Sequence, residues 1–219
     1  MKSSARVVII GGGSLGVSLF YHLAEEGWND VILIEKGELT SGSTWHAAGL
    51  CSNFIGNMTV AKIHNYSIRL YDEILPSQSG NPSVFHKCGS LRVGYSRIED
   101  EWFRHLLSRS KNVPCEFNII SRDEARDLHP FMNFENARII VNTPNDGHVD
   151  PSSVVMTMSQ IATSKGAKIS RFNRVEDIKK TQGGEWEVIT EKGSIIAEHV
   201  VNAAGCFAPE VGAMINAKI

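Results

Sequence analysis

Two short, continuous apolar runs near the start of the chain are typical of buried strands in a parallel sheet. Residues 7–10 are apolar and lead into three glycines, and residues 31–34 are apolar and end at Glu35. Continuous runs of this kind predict strands that are covered on both faces. From Ser14 onward, apolar residues recur at helical spacing, and Gly27 follows in the position of a helix C-cap. The pattern therefore predicts a strand–helix–strand unit with a right-handed crossover.

The rest of the chain alternates between helical and strand-like patterns. Helices are predicted over residues 59–75, around 102–107, after a capping box at 121–124, and over 153–165. The buried side of the 59–75 helix is predicted to carry Val60, Ile63, Ser67, Leu70 and Ile74. Strands are predicted over residues 85–95 (broken by a glycine), 137–141, 169–178, 186–190 and 195–201. The chain thus opens as α/β, passes through an α+β excursion, and returns to strands.

Composition places the chain among ordinary globular proteins. It has 219 residues, of which 42% are hydrophobic and 21% charged, and its formal net charge is −2. That balance gives no electrostatic footprint for nucleic acid. The sequence contains no run of about 18 apolar residues, so no transmembrane helix is predicted. The four cysteines are dispersed without a Cys-x-x-Cys pair, which disfavours a disulfide framework or a zinc site. We therefore expect no metal, no leader segment and a cytoplasmic location, or the mitochondrial matrix if the N-terminus is processed.

The glycines after the first strand fit a dinucleotide-binding fingerprint. Gly11, Gly13 and Gly16 have the spacing that allows a tight turn, close approach of pyrophosphate and close packing of the helix on the strand. Phosphates then bind at the N-terminus of the helix, where free N–H groups favour negative charge. Glu35 ends the next strand, where a carboxylate binds the ribose hydroxyls of an adenosine and disfavours NADP.

The same residues also satisfy a second motif. Residues 12–16 read Gly-x-Ser-x-Gly, the nucleophile elbow of hydrolases, with Ser14 as the nucleophile. That elbow normally follows several earlier strands of its sheet, and it leaves the spacing to Glu35 unexplained. We therefore favour the dinucleotide site.

Four segments together resemble a known family. They are similar to segments of dimethylglycine and sarcosine dehydrogenases. The four are the fingerprint with Glu35 and Lys36, the block Thr-Ser-Gly-Ser-Thr-Trp-His-Ala-Ala-Gly-Leu at 40–50, Asp-Gly-His-Val-Asp-Pro at 146–151, and Val-Asn-Ala-Ala-Gly at 201–205. These are flavoenzymes of the D-amino-acid-oxidase-like group, and the resemblance runs through essentially the whole chain. It implies a Rossmann-like FAD-binding domain with an inserted α+β substrate-side segment. We expect FAD-binding parts at residues 1–80 and 143–219 and the substrate-side excursion at 81–142.

The resemblance also implies that the cofactor is FAD, attached covalently through His46. A neutral imidazole nitrogen, the common form of histidine at physiological pH, is a suitable nucleophile for that linkage. Val175 would hold the adenine through its backbone, and Ala204 and Gly205 would let a strand end lie close to the cofactor. The full set of expected cofactor-binding residues is Gly11, Gly13, Ser14, Leu15, Gly16, Glu35, Lys36, Gly42, Ser43, Thr44, His46, Ala47, Ala48, Gly49, Leu50, Val175, Ala204 and Gly205.

The implied activity is oxidation of an N-methylated glycine by hydride transfer from the N-methyl carbon to the flavin, with oxygen or an electron-transfer flavoprotein as acceptor. In the family, later segments complete the FAD fold and bind the amine, so this chain is expected to be an N-terminal portion and its catalytic residues stay unassigned. The alternative is a non-catalytic relative resembling the pyruvate dehydrogenase phosphatase regulatory subunit.

The 146–151 segment could suggest an acid–base or metal cluster, but we interpret it as a turn at Asp146–Gly147 and a helix start at Asp150–Pro151.

Overall fold

The computed structural model describes residues 3–110 and 114–218, which form two compact units. One unit contains the described residues up to Ala48 together with those from Pro151 onward, and the other is Gly49–Asp150. This division follows the packing of the backbone. The functional boundaries expected after residues 80 and 142 remain a prediction.

Both units contain strands and helices. The strands are β1 (Ser4–Ile10), β2 (Val31–Ile34), β3 (Leu50–Cys51), β4 (Phe85–His86), β5 (Ser90–Gly94), β6 (Asn118–Ile119), β7 (Ile139–Thr143), β8 (Gly147–Val149), β9 (Lys168–Ser170), β10 (Val175–Lys180), β11 (Trp186–Thr190) and β12 (Gly193–Asn202). The helices are α1 (Ser14–Glu25), α2 (Met58–Arg69), α3 (Leu75–Ser79), α4 (Arg97–Ser110), α5 (Arg122–Leu128), α6 (Pro151–Ser164) and α7 (Ala208–Ala213). Short 3₁₀ turns cover Thr44–His46 and Gly205–Phe207, and a π-helical turn covers Leu70–Ile74. None of the helices in these described stretches is long and apolar enough to cross a bilayer.

The first unit is built on a six-stranded sheet in the order β10-β11-β12-β1-β2-β9. Strands β12, β1, β2 and β9 are parallel, whereas β10, β11 and β12 form an antiparallel meander. All four residues of β2 are buried, and Val8 of β1 pairs with Ile32 on one side and Val200 on the other. Burial on both faces explains the continuous apolar runs and confirms the predicted α/β fold class with its parallel sheet.

One predicted strand of this sheet is wrong. Residues 169–178 form two strands, β9 and β10, which lie at opposite edges of the sheet. The break contains Phe172, which has a positive φ of 50°, and Asn173, whose backbone N–H donates to the Glu35 carbonyl oxygen at 3.0 Å. The hydrophobic pattern does not show this break, because apolar residues recur at every third position through it, at Ile169, Phe172, Val175 and Ile178.

The second unit contains two three-stranded sheets, β3-β8-β4 and β5-β7-β6. Strand β7 is buried on both faces. One face packs Ile139 and Val141 against Phe103 and Leu106 of α4, and the other packs Ile140 into a cluster with Ala125 of α5. The predicted capping box is confirmed at the start of α5, where Ser121 and Glu124 exchange side-chain and backbone hydrogen bonds.

The predicted buried side of the 59–75 helix needs correction. Val60 and Ile63 are exposed, and the buried positions of α2 are Ala61 and Ile68. The helix then passes through the π-helical turn before α3 begins with the fully buried Leu75. The π-helical turn follows the two exposed positions and does not account for them. Within α2 each buried residue lies one position beyond a predicted one, because the stripe was counted from Val60 instead of Ala61, whereas Leu70 is buried as predicted.

Candidate functional site

A cavity of about 440 Å³ lies within the first unit, beside the carboxyl ends of β1, β2 and β12. Ligands of open α/β sheets bind at this kind of edge. The cavity is lined by residues 10–15, 34–36, 40–44, 173–175 and 203–207, with Glu210, Val211 and Met214.

The glycine loop between β1 and α1 has no room for side chains. Gly11 has a φ of +117°, and a Cβ atom there would lie 2.3 Å from the Ala203 carbonyl oxygen. A Cβ atom on Gly16 would lie 2.0 Å from the Gly11 carbonyl oxygen. The absence of side chains at these glycines lets β1, α1 and the end of β12 lie close together. The N-terminus of α1 therefore opens directly into the cavity, where its N–H groups and dipole favour an anion.

Thr44 completes the N-terminal end of α1. Its buried side chain accepts a hydrogen bond from the backbone N–H of Ser14, at 3.0 Å between nitrogen and Oγ1. Gly13, the N-cap residue, has no side chain to do this. The 3₁₀ turn at Thr44–His46 is thereby held against the helix, which positions the Gly-Ser-rich segment of residues 40–44 along one wall of the cavity.

Both carboxylate oxygens of Glu35 are held by backbone amides. Oε2 accepts from the N–H of Gly12 at 2.7 Å, and Oε1 accepts from the N–H of Gly37 at 2.8 Å. Because each carboxylate oxygen has a second lone pair, the group keeps acceptor capacity toward the cavity. This arrangement fixes a negative charge at the end of β2, in the position expected for a ribose-binding carboxylate.

Beyond the predicted Ala204 and Gly205, the residues that line the cavity after β12 were missed by the sequence analysis. Cys206 and Phe207 lie in the 3₁₀ turn at Gly205–Phe207, and Met214 follows α7. The Lys36 ammonium group lies 3.1 Å from the centroid of the Phe207 ring. Lys36 was predicted to bind the cofactor, whereas Phe207 was not. Asn173 and Arg174 were also missed. The sequence feature that could have identified them is their position after a parallel strand, since such residues converge at this edge of the sheet.

The structure places the predicted site residues in three settings. Those that line the cavity are Gly11, Gly13, Ser14, Leu15, Glu35, Lys36, Gly42, Ser43, Thr44, Val175, Ala204 and Gly205. Gly16 lies behind the glycine loop, and His46, Ala47 and Ala48 belong to the same unit but are not among the lining residues. Gly49 and Leu50 belong to the second unit, at the start of β3.

His46 is exposed at the end of its 3₁₀ turn. Its ring stacks on the ring of Trp45, with 3.8 Å between the ring centroids and 32° between the ring planes. Trp45 is itself 58% exposed, so both rings of this tilted pair are accessible from outside. An exposed imidazole of this kind can act as a nucleophile toward a group brought to it.

In the second unit, a buried carboxylate corrects our interpretation of the 146–151 segment. Asp146 does not form a turn with the next residue, because β8 begins there and the turn lies at residues 144–145. Its Oδ1 accepts from the backbone and side-chain nitrogens of Asn53 at 2.8 and 2.9 Å. Its Oδ2 accepts from the hydroxyls of Ser52 at 3.0 Å and Ser90 at 2.6 Å, and Arg92 donates to the Ser52 hydroxyl at 2.9 Å.

Asp146 also influences two thiols of the second unit. Burial raises the pKa of Cys51 to about 11 and that of Cys115 to about 12, and the negative charge of Asp146 adds to both shifts. Asp146 is 1% exposed and its carboxylate accepts from Ser52, Asn53 and Ser90 of its own unit, so its role is structural. Within the described residues, no group of three or more His, Cys, Asp or Glu side chains is arranged to hold a metal ion.

Comparison with known proteins agrees with the geometry of the cavity. Dimethylglycine dehydrogenase of Mus musculus, a mitochondrial protein, is 41% identical over 215 residues, covering 98% of this chain and 25% of that protein. The mitochondrial sarcosine dehydrogenase of Homo sapiens is 31% identical over 229 residues, covering 100% of this chain and 24% of that protein. The chain thus spans about a quarter of the length of these relatives.

Solved structures show the same fold. The crystal structure of L-proline dehydrogenase from P. horikoshii superposes with a TM-score of 0.88 at 25% identity, covering 98% of this chain and 56% of that one. The family model described as "DAO: FAD dependent oxidoreductase" matches residues 6–219. That match leaves the hydrolase alternative at Ser14 without support. This chain belongs to the DAO family of FAD-dependent oxidoreductases.

Proposed function

We propose that this chain is the N-terminal, FAD-binding portion of a dehydrogenase or oxidase that acts on an N-methylated glycine, dimethylglycine or sarcosine. The observation that carries the proposal is the likeness of nearly the whole chain to two dehydrogenases of those amines. The amine-binding and catalytic side chains are then expected in other parts of the functional enzyme.

The residues of the cavity suit FAD. The side-chain-free glycine loop and the N-terminus of α1 would receive the pyrophosphate, and the amide-held carboxylate of Glu35 would accept from the ribose hydroxyls. The backbone of Val175 would hold the adenine, and Ala204 and Gly205 would leave space for the cofactor beside β12. When bound, FAD supplies the acceptor for the hydride that leaves the N-methyl carbon.

His46 is proposed as the residue that bonds FAD covalently. The support is its place in the Ser-Thr-Trp-His-Ala-Ala-Gly block, its exposure and its ring contact with Trp45. The role of this chain is then to bind the cofactor, hold it against the sheet edge, and present one imidazole nitrogen for attachment.

The first test is the intact mass of the chain under denaturing conditions after expression with FAD. We expect the 24.1 kDa chain plus one FAD, and we expect the bare chain for the variant His46→Ala. His105→Ala is the matched control, since His105 is exposed on α4 and lies outside the block. Covalent flavin that persists in His46→Ala would disprove the attachment site while leaving FAD binding intact.

The second test addresses the substrate. Dimethylglycine or sarcosine, added without oxygen, is expected to bleach the visible absorbance of the flavin in the complete enzyme. Subsequent formation of hydrogen peroxide in air would identify oxygen as the acceptor, and reduction of an electron-transfer flavoprotein would identify the alternative. A flavin that dithionite reduces but neither amine reduces would favour the non-catalytic, regulatory relative.

A further inference from the structure

The four cysteines of the chain have different surroundings. Cys51 and Cys115 are half-buried, and burial raises the pKa of each thiol, so both remain protonated and slow to react near neutral pH. Cys88 and Cys206 are exposed. Burial and thiol pKa therefore divide the four cysteines into two slow-reacting thiols and two that are accessible to reagents.

Of the two available thiols, Cys88 has a histidine beside it. Its Sγ lies 3.6 Å from Nδ1 of His148 and 3.5 Å from the carbonyl oxygen of Gly89. The backbone of this turn is fixed, because the N–H of Cys88 donates to the His86 carbonyl at 3.0 Å and the N–H of Gly89 donates to the Asp146 carbonyl at 2.8 Å. The thiol is thus held within hydrogen-bonding distance of an imidazole nitrogen.

The sheet holds the imidazole in place. His148 in β8 pairs directly with His86 in β4, and their rings stack with 5.0 Å between centroids and 22° between planes. Close approach of these strands requires Gly147, since a Cβ atom there would lie 2.1 Å from the His86 carbonyl oxygen. Both histidines and Cys88 are exposed, so a small reagent can reach the sulfur.

We propose that Cys88 and His148 form a reactive thiol–imidazole pair, a modification site for small electrophiles such as peroxides and haloacetamides. Neither residue lines the cavity described above. A thiolate is the reactive form of cysteine, and a neighbouring imidazole that accepts the thiol proton supplies it.

With hydrogen peroxide the reaction balances within the pair and the reagent. Nδ1 of His148 accepts the thiol proton, and the sulfur of Cys88 attacks one peroxide oxygen. The O–O bond breaks and hydroxide leaves, taking the proton from the imidazolium to give water. The sulfur is oxidised by two electrons to a sulfenic acid and the peroxide is reduced.

The test compares the thiols within one molecule. The 219-residue chain is treated with limiting iodoacetamide at neutral pH, and peptide mass spectrometry follows alkylation of each cysteine with time. Cys88 should react about tenfold faster than Cys206, which is also exposed but has no histidine contact in the described structure, and far faster than Cys51. Equal rates at Cys88 and Cys206 in the wild-type chain would overturn the proposal without any variant.

Variants then identify the base. His148→Gln should lower the alkylation rate of Cys88 to about that of Cys206 and should lower trapping of its sulfenic acid by dimedone after peroxide treatment. His86→Gln is the matched control, since it removes the stacked ring but leaves the imidazole that touches the sulfur. Slow alkylation of the half-buried Cys51 and Cys115, which belong to the same unit as the substitutions, reports that each variant is folded. A Cys88 that stays fast in folded His148→Gln refutes the role of the imidazole.

Discussion

Replacing Asp146 by asparagine should destabilise the second unit, because the buried carboxylate accepts four hydrogen bonds. The amide oxygen of asparagine can keep the two bonds from Asn53, but its NH₂ group then faces two hydroxyls. The Ser52 hydroxyl already accepts from Arg92 at 2.9 Å and from a backbone N–H, so it is poorly placed to accept again. The loss of charge-assisted hydrogen bonds, together with one buried N–H donor that lacks an acceptor, should lower the free energy of unfolding by about 2–4 kcal/mol.

Thermal and urea unfolding, followed by circular dichroism, measure this cost. For a chain of this size each kcal/mol lowers Tm by about 2–4 °C, so Asp146→Asn should lose about 4–16 °C. Asp127→Asn is the matched control: Asp127 is exposed on α5 of the same unit, and the substitution should change stability by less than about 0.5 kcal/mol. If Asp146→Asn behaves like that control, the carboxylate is not a structural acceptor and the reasoning is refuted.

Three further predictions concern the cavity and a helix cap. Gly16→Ala should abolish FAD retention during gel filtration, because its Cβ meets backbone at 2.0 Å, whereas Gly183→Ala, with only side-chain atoms at 3.7 Å, should retain it. Glu35→Gln should weaken FAD binding about tenfold in a fluorescence titration, since the amide can accept from only one of the two backbone N–H groups and its NH₂ group cannot accept from a ribose hydroxyl; unchanged affinity would refute this role. Hydrogen bonds from the backbone and side chain of Ser121 lower the pKa of Glu124, so its stabilisation is complete above the ordinary carboxyl pKa and is lost as pH falls through the lowered value. The difference in urea midpoint between wild type and Glu124→Gln should therefore shrink on acidification, and a constant difference would contradict it.

The sequence predicted the elements whose signals are local. The strand–helix–strand start and the capping box at Ser121 each depend on residues within one turn or one strand, so pattern and structure agree. The cavity follows from the same start, because the glycine loop and Glu35 meet at a sheet edge that parallel topology fixes. His46 was chosen for its motif, and its ring contact with Trp45 became visible only in three dimensions.

Features that depend on distant residues were not predictable. Nothing local distinguishes β9 from β10, although they end at opposite edges of the sheet. Asp146 was interpreted as a turn residue, because its partners Ser52 and Asn53 lie more than 90 positions earlier in the chain. The pairing of Cys88 with His148 spans 60 residues and likewise has no local signal.

By itself, the sequence determined the α/β class, the position of the glycine loop and the carboxylate beside it, because hydrophobic periodicity and glycine spacing act over a few residues. Only the tertiary structure decided the far wall of the cavity at Cys206 and Phe207, the acceptor role of Asp146, and the thiol that meets an imidazole. The physical reason is that burial and hydrogen bonding depend on which segments pack together, and packing brings into contact residues that are far apart in the sequence.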